Sequence, residues 1–284
     1  MIVVTGATGQ LGRLVIAQLL QRGVPAGKIV AAVRTPSKAA DLAAQGVQVR
    51  EADYTRPATL MAAFQGAERV LLISSSEVGQ RVPQHRAVID AALEARVAQL
   101  VYTSLLRAET SPLGLAAEHK ATEALIVGSG LPHVLLRNGW YTENYLASVA
   151  PALQHGAFIG SAGSGRIASA TRADYAEAAA AVLTLPVGAN RSYELAGDSA
   201  YTLAEFVAEL QRQTGRAVVY QDLPQPAFEG ALVGAGLPAP FAALLADSDA
   251  GASRGALFDD GHQLSTLIGR PTTPLAAAMK AALA

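Results

Sequence analysis

The residues best placed to do chemistry stand at the start of the chain. Gly6-Ala7-Thr8-Gly9-Gln10-Leu11-Gly12 follows the β-branched run Ile2-Val3-Val4-Thr5 and leads into an apolar pattern of helical period. Strand, glycine-rich turn and helix, in that order, make a phosphate cradle. The spacing is Gly-x-x-Gly-x-x-Gly, and its mechanics are those of other dinucleotide turns. One glycine permits the tight turn, one lets a pyrophosphate approach the backbone, and one lets the helix pack close to the strand. The helix start then offers N–H groups and a positive dipole end. Thr8, Gln10 and Leu11 share this loop, so they join Gly6, Gly9 and Gly12 as candidate cofactor contacts. Arg34 is the second signal, because it ends the buried-looking run Ile29–Val33. NAD sites usually place Asp or Glu there for the ribose 2′-OH. A guanidinium instead meets a 2′-phosphate with a planar fork. NADPH is therefore the expected cofactor. Thr35-Pro36 reads as an N-cap followed by the first helical residue, which sets Arg34 at the mouth of a crevice. Lys38 adds charge one turn on, or is an ordinary solvated lysine.

These groups need a scaffold, and the chain alternates strand and helix. Further strands are expected at residues 47–50, 69–73, 99–103 and 133–137, with helices at 38–44, 58–64, 83–95 and 115–127. That pattern predicts an α/β protein with a Rossmann-type doubly wound parallel sheet. Ligands bind such sheets at the carboxyl ends of the strands, near the switch point between the first and fourth. Ile73, Ser74 and Ser75 after the fourth strand, Ser104 at the end of the fifth, and Asn138 onwards after the sixth should then face the cofactor. Residues 1–150 are read as the NADP-binding domain. Residues 151–284 are read as a smaller α/β substrate-capping lobe, some of whose segments pack back on the first. In that lobe, Phe158–Gly160 and Arg166–Ala168 flank a glycine-serine turn, Ser192–Leu195 and Ala217–Tyr220 read as strands, and Leu203–Thr214 reads as a helix.

Composition narrows the function classes. The chain has 284 residues, 51% hydrophobic and 16% charged, with net charge −1 and no cysteine. It has ample apolar material for a core. Near-zero net charge and the lack of a basic stripe argue against a nucleic-acid partner. The absence of cysteine removes disulfides, thiolate metal sites and cysteine nucleophiles. No apolar run is long enough to span a bilayer, and the first strand stands where a leader would. A soluble, cytoplasmic protein is expected, with no membrane partner and with a homo-oligomer left open. Asp247-Ser248-Asp249 and Asp259-Asp260 lack histidine and any calcium-loop spacing, so turns and caps explain them and no metal site is expected.

The segments Gly6–Gly12, Arg34, Asp53, Leu72-Ile73-Ser74-Ser75 and Arg137-Asn138-Gly139-Trp140-Tyr141 together resemble the NmrA-like group of atypical short-chain dehydrogenase/reductases. Within that group the chain is most similar to the bacterial type 2 NADPH:quinone oxidoreductases, and less so to the triphenylmethane-dye reductases. The resemblance spans nearly the full length. It implies two-electron reduction of a quinone-like acceptor by NADPH without flavin. It also implies that Asn138, Gly139, Trp140, Tyr141, Thr142 and Glu143 run along the nicotinamide end of the cofactor.

Ordinary short-chain dehydrogenases carry Tyr-x-x-x-Lys on the helix after the fifth strand, where the lysine tunes the tyrosine as a proton donor. Here that helix reads Glu118-His119-Lys120-Ala121-Thr122-Glu123, with no such pair. A quinone tolerates the loss, because its oxyanion is delocalised and can take a proton from water. Catalysis then rests on positioning. His119 is the first candidate acid, since an imidazole donates near neutral pH; a packed helix histidine is the bland alternative. Glu123 reads as a helix-surface carboxylate or a partner for His119. Tyr141 and Asn144 could set an aromatic face and an amide against the acceptor. Trp140 suits core and pocket equally. The rival function is an NmrA-like redox sensor that binds dinucleotide without turnover.

Overall fold

An unbroken apolar run makes a strand only where both of its faces are covered. The computed structural model, which describes residues 1–284, shows where this condition is met. Its strands are β1 (Ile2–Thr5), β2 (Ile29–Val33), β3 (Gln48–Glu51), β4 (Arg69–Leu72), β5 (Gln99–Leu105), β6 (His133–Asn138), β7 (Ala157–Gly160), β8 (Arg191–Leu195) and β9 (Val219–Asp222). Its helices are α1 (Gln10–Gln21), α2 (Ala40–Ala44), α3 (Pro57–Ala63), α4 (Arg81–Glu94), α5 (Ala116–Gly128), α6 (Thr142–Leu146) and α7 (Val149–His155). They continue as α8 (Arg172–Thr184), α9 (Leu203–Thr214), α10 (Gln225–Gly234), α11 (Ala239–Ala252), α12 (Gln263–Ile268) and α13 (Leu275–Leu283).

The residues gather into two compact units that interleave along the chain. The first comprises Met1–Ala108, Ala117–Asn138 and Arg172–Glu194, and the second the remainder. A seven-stranded sheet in the order β3-β2-β1-β4-β5-β6-β8 organises the first unit. The pairs from β3 through β6 are parallel. Every residue of β2, β4, β5 and β6 is buried, as the apolar runs require. β3 lies at the edge, with three half-buried residues and exposed Glu51, and its polar side chains discourage further pairing. On one face Val3, Val30, Val70, Leu72, Leu100 and Tyr102 pack with Leu60 of α3 and Phe64 just after it, Val88 and Ile89 of α4, and Ile126 of α5.

α1 packs along α8. Runs of buried alanine in α8, including Ala178, Ala179 and Ala180, permit the close approach. Arg69, only 8% exposed, anchors the far end of α8. Its Nη1 donates to the carbonyl of Leu183 at 2.7 Å and also to that of Leu185. A cation on the last carbonyls of a helix satisfies them and complements the dipole. Ser192–Leu195, expected as a strand of the lobe, is instead an outer strand of this large sheet, beside β6. Strand partners are set by tertiary packing and do not show in the local pattern.

The second unit has its own small core. β7 pairs in parallel with β9, so the glycine-serine turn after Gly160 is not a hairpin. Arg166–Ala168 forms no strand and bridges only through Ile167 to Tyr201. Phe158, Tyr201 and Tyr145 surround Phe206, with ring centroids 5.1, 6.0 and 6.1 Å away. Thr202 and Glu205 close a reciprocal capping box on α9. Asp247-Ser248-Asp249 lies within α11 and not in a turn, with Ser248 and Asp249 buried. No helix is long and apolar enough to cross a membrane.

One buried ion pair ties α5 to β6 in the first unit. Arg137 meets Glu123 through Nε at 2.9 Å and Nη2 at 2.6 Å, and reaches Glu194 of β8 through Nη1 at 2.9 Å. Glu123→Ala should lower the unfolding free energy by about 3 kcal/mol, the usual cost of stranding a buried charge. Urea unfolding followed by circular dichroism tests this, and a change within error would show that the pair is replaceable.

Candidate functional site

The glycine-rich turn is closed by its own backbone. Gly6 takes a φ of +57°, and the Gly9 N–H donates to the Gly6 carbonyl at 2.9 Å. A Cβ on Gly12 would stand 2.5 Å from that same carbonyl oxygen and 2.7 Å from Ala7 Cα. Backbone atoms cannot step aside, so only glycine lets α1 begin this close to β1. Gly9 caps α1 with no side-chain bond, leaving the first-turn amides to a ligand.

A cleft of about 420 Å³ opens over this turn. Gly6, Thr8, Gly9, Gln10, Leu11, Gly12, Arg34, Ile73, Ser74 and Ser75 all line it, so the structure brings ten of the expected cofactor contacts together. It adds Ala52, Asp53, Tyr54, Thr55, Ser76, Glu77 and Gln84, which the sequence had not marked as contacts. Asp53 stood in the sequence among the residues that carry the family resemblance. Tyr54 and Gln84 gave no signal, because each reaches the cleft only through the fold. The Tyr54 hydroxyl lies against Thr5 Oγ1 and 2.9 Å from the Ile73 carbonyl, where β1 and β4 part. Thr5 Oγ1 in turn donates to Leu71 O at 2.9 Å and accepts from Ile73 N–H at 3.1 Å.

The loop after β4 is held from behind by buried polar groups. Ser74 N–H donates to Thr103 Oγ1 at 2.9 Å, and Ser75 N–H to His85 Nε2 at 2.9 Å. Arg81 Nε donates to the Ser75 carbonyl. Because His85 accepts at Nε2, its proton resides on Nδ1, which lies 3.0 Å from Thr122 Oγ1. Burial, then the Arg81 charge, push the His85 pKa down to about 4.

His119 lies in the same buried layer, 4% exposed, with Nδ1 2.7 Å from the Tyr102 hydroxyl. Burial first, then Arg81 and His85, push its pKa down to about 3. It is a neutral, enclosed imidazole outside the cleft lining, and not a group that changes charge near neutral pH. Glu123 is neither on the helix surface nor bonded to His119. It is 6% exposed and clamped by Arg137, and Ser104 spends its hydroxyl on Glu123.

The residues after β6 do not line the cleft. Asn138 ends β6, 4% exposed, and Gly139–Thr171 belongs to the second unit. Thr142 is committed there, its N–H to Ala170 O at 2.9 Å and its Oγ1 to Ser169 Oγ at 2.8 Å. Tyr141 caps α6, and Glu143 lies in its first turn. Trp140 and Asn144 line a small cavity of the second unit with Tyr145, Phe158, Phe228 and Asp249. Asp249 accepts from the Tyr145 hydroxyl at 2.9 Å and from Ser161 N–H at 3.0 Å. Burial raises its pKa to about 6.

A glycine turn at the switch point of a parallel sheet, with a guanidinium at the end of the neighbouring strand, defines a Rossmann-type dinucleotide-binding protein. The chain belongs to the NAD(P)H-binding family, whose model matches residues 6–186. It is 60% identical to quinone oxidoreductase 2 of Escherichia coli over 97% of this chain and 96% of that one. The crystal structure of the Escherichia coli NADPH-dependent quinone oxidoreductase in complex with NADPH superposes with a TM-score of 0.97, at 58% identity and with both chains fully covered. The Citrobacter triphenylmethane reductase complexed with NADP(H) gives a TM-score of 0.95 at 39% identity, covering 99% of this chain and 100% of that one.

The two depressed histidines make a signed prediction. Both are neutral in the folded state and take up protons near pH 6.5 when unfolded. Their contribution is complete above pH 6.5 and is lost as pH falls towards 4 and 3, a few kcal/mol in all. Asp249 works in the opposite direction between pH 6 and 4. The histidine share is therefore read as a difference: His119→Gln should lose less stability than wild type between pH 7 and pH 5 in urea melts. Equal slopes would mean that His119 titrates normally.

Proposed function

We propose that the chain is an NADPH-dependent, flavin-free quinone reductase. The observation that carries this reading is the convergence of the glycine turn and Arg34 on one cleft, in a chain so similar to a quinone oxidoreductase. The residues fit the cofactor. The turn has no room for a Cβ at Gly12, its helix-start amides have no side-chain cap, and a guanidinium stands at the end of β2. Gly6, Thr8, Gly9, Gln10, Leu11 and Gly12 would hold the pyrophosphate, Arg34 the 2′-phosphate, and Ile73, Ser74 and Ser75 the opposite wall. When bound, NADPH supplies a hydride.

The chain's own part is positioning. The buried bonds from Thr103, His85 and Arg81 fix the loop after β4, so that wall of the cleft needs little reorganisation on binding. In the second unit we assign Tyr141 and Asn144 to the acceptor, on the strength of the aromatic face and the amide that these residue types offer a flat ring. Asn138, Gly139, Trp140, Thr142 and Glu143 belong in this reading to the backbone segment that carries them. Proton delivery is assigned to water, because His119 is neutral and spends Nδ1 on Tyr102. The relatives carrying the resemblance are reductases, so the sensor reading is set aside. A cytoplasmic location, where NADPH is plentiful, completes the proposal.

Absorbance at 340 nm with and without a simple benzoquinone tests the activity. Acceptor-dependent loss that favours NADPH over NADH is expected, and tight binding without turnover would restore the sensor reading. Arg34→Ala should weaken NADPH by about tenfold to a hundredfold, the worth of a charged hydrogen bond, and leave NADH nearly unchanged. Equal loss of both cofactors would remove Arg34 from the 2′-phosphate. His119→Gln should keep turnover within about tenfold, whereas a loss of a hundredfold or more with binding intact would make it the acid.

A further inference from the structure

Arg34 already has an anion in hand. Its Nη1 donates to Glu77 Oε1 at 3.0 Å. Glu77 is no drifting surface carboxylate. Gln84, 6% exposed, donates Nε2–H to Glu77 Oε2 at 2.8 Å, and the Glu77 N–H donates to Ser75 Oγ at 3.2 Å. Both carboxylate oxygens are therefore engaged, and all of these groups line the cleft. Asp53 also feels the Arg34 charge, but its Oδ1 is taken by the backbone and hydroxyl of Thr55. Glu77 is the carboxylate bonded to Arg34.

A carboxylate and a phosphate approach a guanidinium through the same fork of donors. Two anions at one arginine also repel each other. The Arg34 and Glu77 side chains are 70% and 48% exposed, so their pair is weak enough to be displaced by a dianion. We infer that Glu77 is a specificity-tuning residue, an internal competitor that occupies Arg34 until a 2′-phosphate displaces it. Gln84 keeps the competitor in place. The effect is to lower affinity for the phosphorylated dinucleotide while leaving the unphosphorylated one untouched. This inference rests on the assignment of Arg34 to the 2′-phosphate. If Glu77 instead served to orient Arg34, its removal would have the opposite sign.

The test is calorimetric binding of NADPH, NADH and 2′-AMP to the purified protein, its Glu77→Gln and Arg34→Ala variants, and the double variant. Glu77→Gln should tighten NADPH and 2′-AMP by about fivefold, the scale of an exposed ion pair, with NADH within about twofold of wild type. In the Arg34→Ala background the same substitution should gain almost nothing, since the competition runs through Arg34. Weaker NADPH binding by Glu77→Gln, or none of the expected gain, would overturn the inference. A gain that persists without Arg34 would also overturn it, in favour of plain charge repulsion. A wild-type protein that binds NADPH no more tightly than NADH would overturn the assignment of Arg34 itself, and the role of Glu77 with it.

Discussion

Everything at the cleft depends on how closely α1 approaches β1. The carbonyl of Gly6 and the Cα of Ala7 occupy the volume that any side chain at Gly12 would need. That contact aims the uncapped first turn of α1 over the end of the sheet. Where β1 and β4 part at the end of the sheet, Thr5 and Tyr54 bridge them. A helix held even slightly farther out would leave its amides too distant to share one ligand. Gly12 thus acts through what it leaves out, because the backbone of Gly6 and Ala7 fills the space a side chain would take.

The second support is a buried polar layer behind the loop that follows β4. Thr103, His85, Arg81 and Glu118 converge on residues 74–81 from β5, α4 and α5. Buried polar groups of this kind are costly unless satisfied, and satisfied ones specify a single arrangement. Here they turn a loop, the part of a fold most prone to move, into a wall. His85 and His119 belong to this layer as neutral, bonded rings. The helix position that carries the tyrosine–lysine pair in ordinary short-chain dehydrogenases holds two buried, bonded groups here, His119 and Glu123.

Much of the first unit was legible from the residues. Apolar stretches such as Ile29–Val33, and Leu100-Val101-Tyr102 within the strand expected at 99–103, announce buried parallel strands, because nothing else buries both faces. The turn at Gly6–Gly12 and Arg34 carry their meaning in local sequence. What stayed hidden depends on contacts between distant segments. Glu123 looks like a surface carboxylate until Arg137 and Ser104 close over it. Tyr54 comes from the connection after β3, Glu77 from the connection after β4 and Gln84 from the first turn of α4, and all three line the folded cleft. Gly139 and Thr142 follow a cofactor-side strand, yet Gly139 N–H bonds to Leu195, and Thr142 bonds to Ala170 and Ser169, within the second unit.

The position of α8 in the chain has a consequence for biosynthesis. The first unit is discontinuous, and α1 packs on a helix that begins at Arg172. Until that helix leaves the ribosome, Arg69 has no carbonyls to bind and an apolar helix face stays bare. The nucleotide-binding unit therefore cannot reach its final form as an early product of translation. It must wait for a long-range closure, the kind of step that slows folding and leaves sticky intermediates in need of protection.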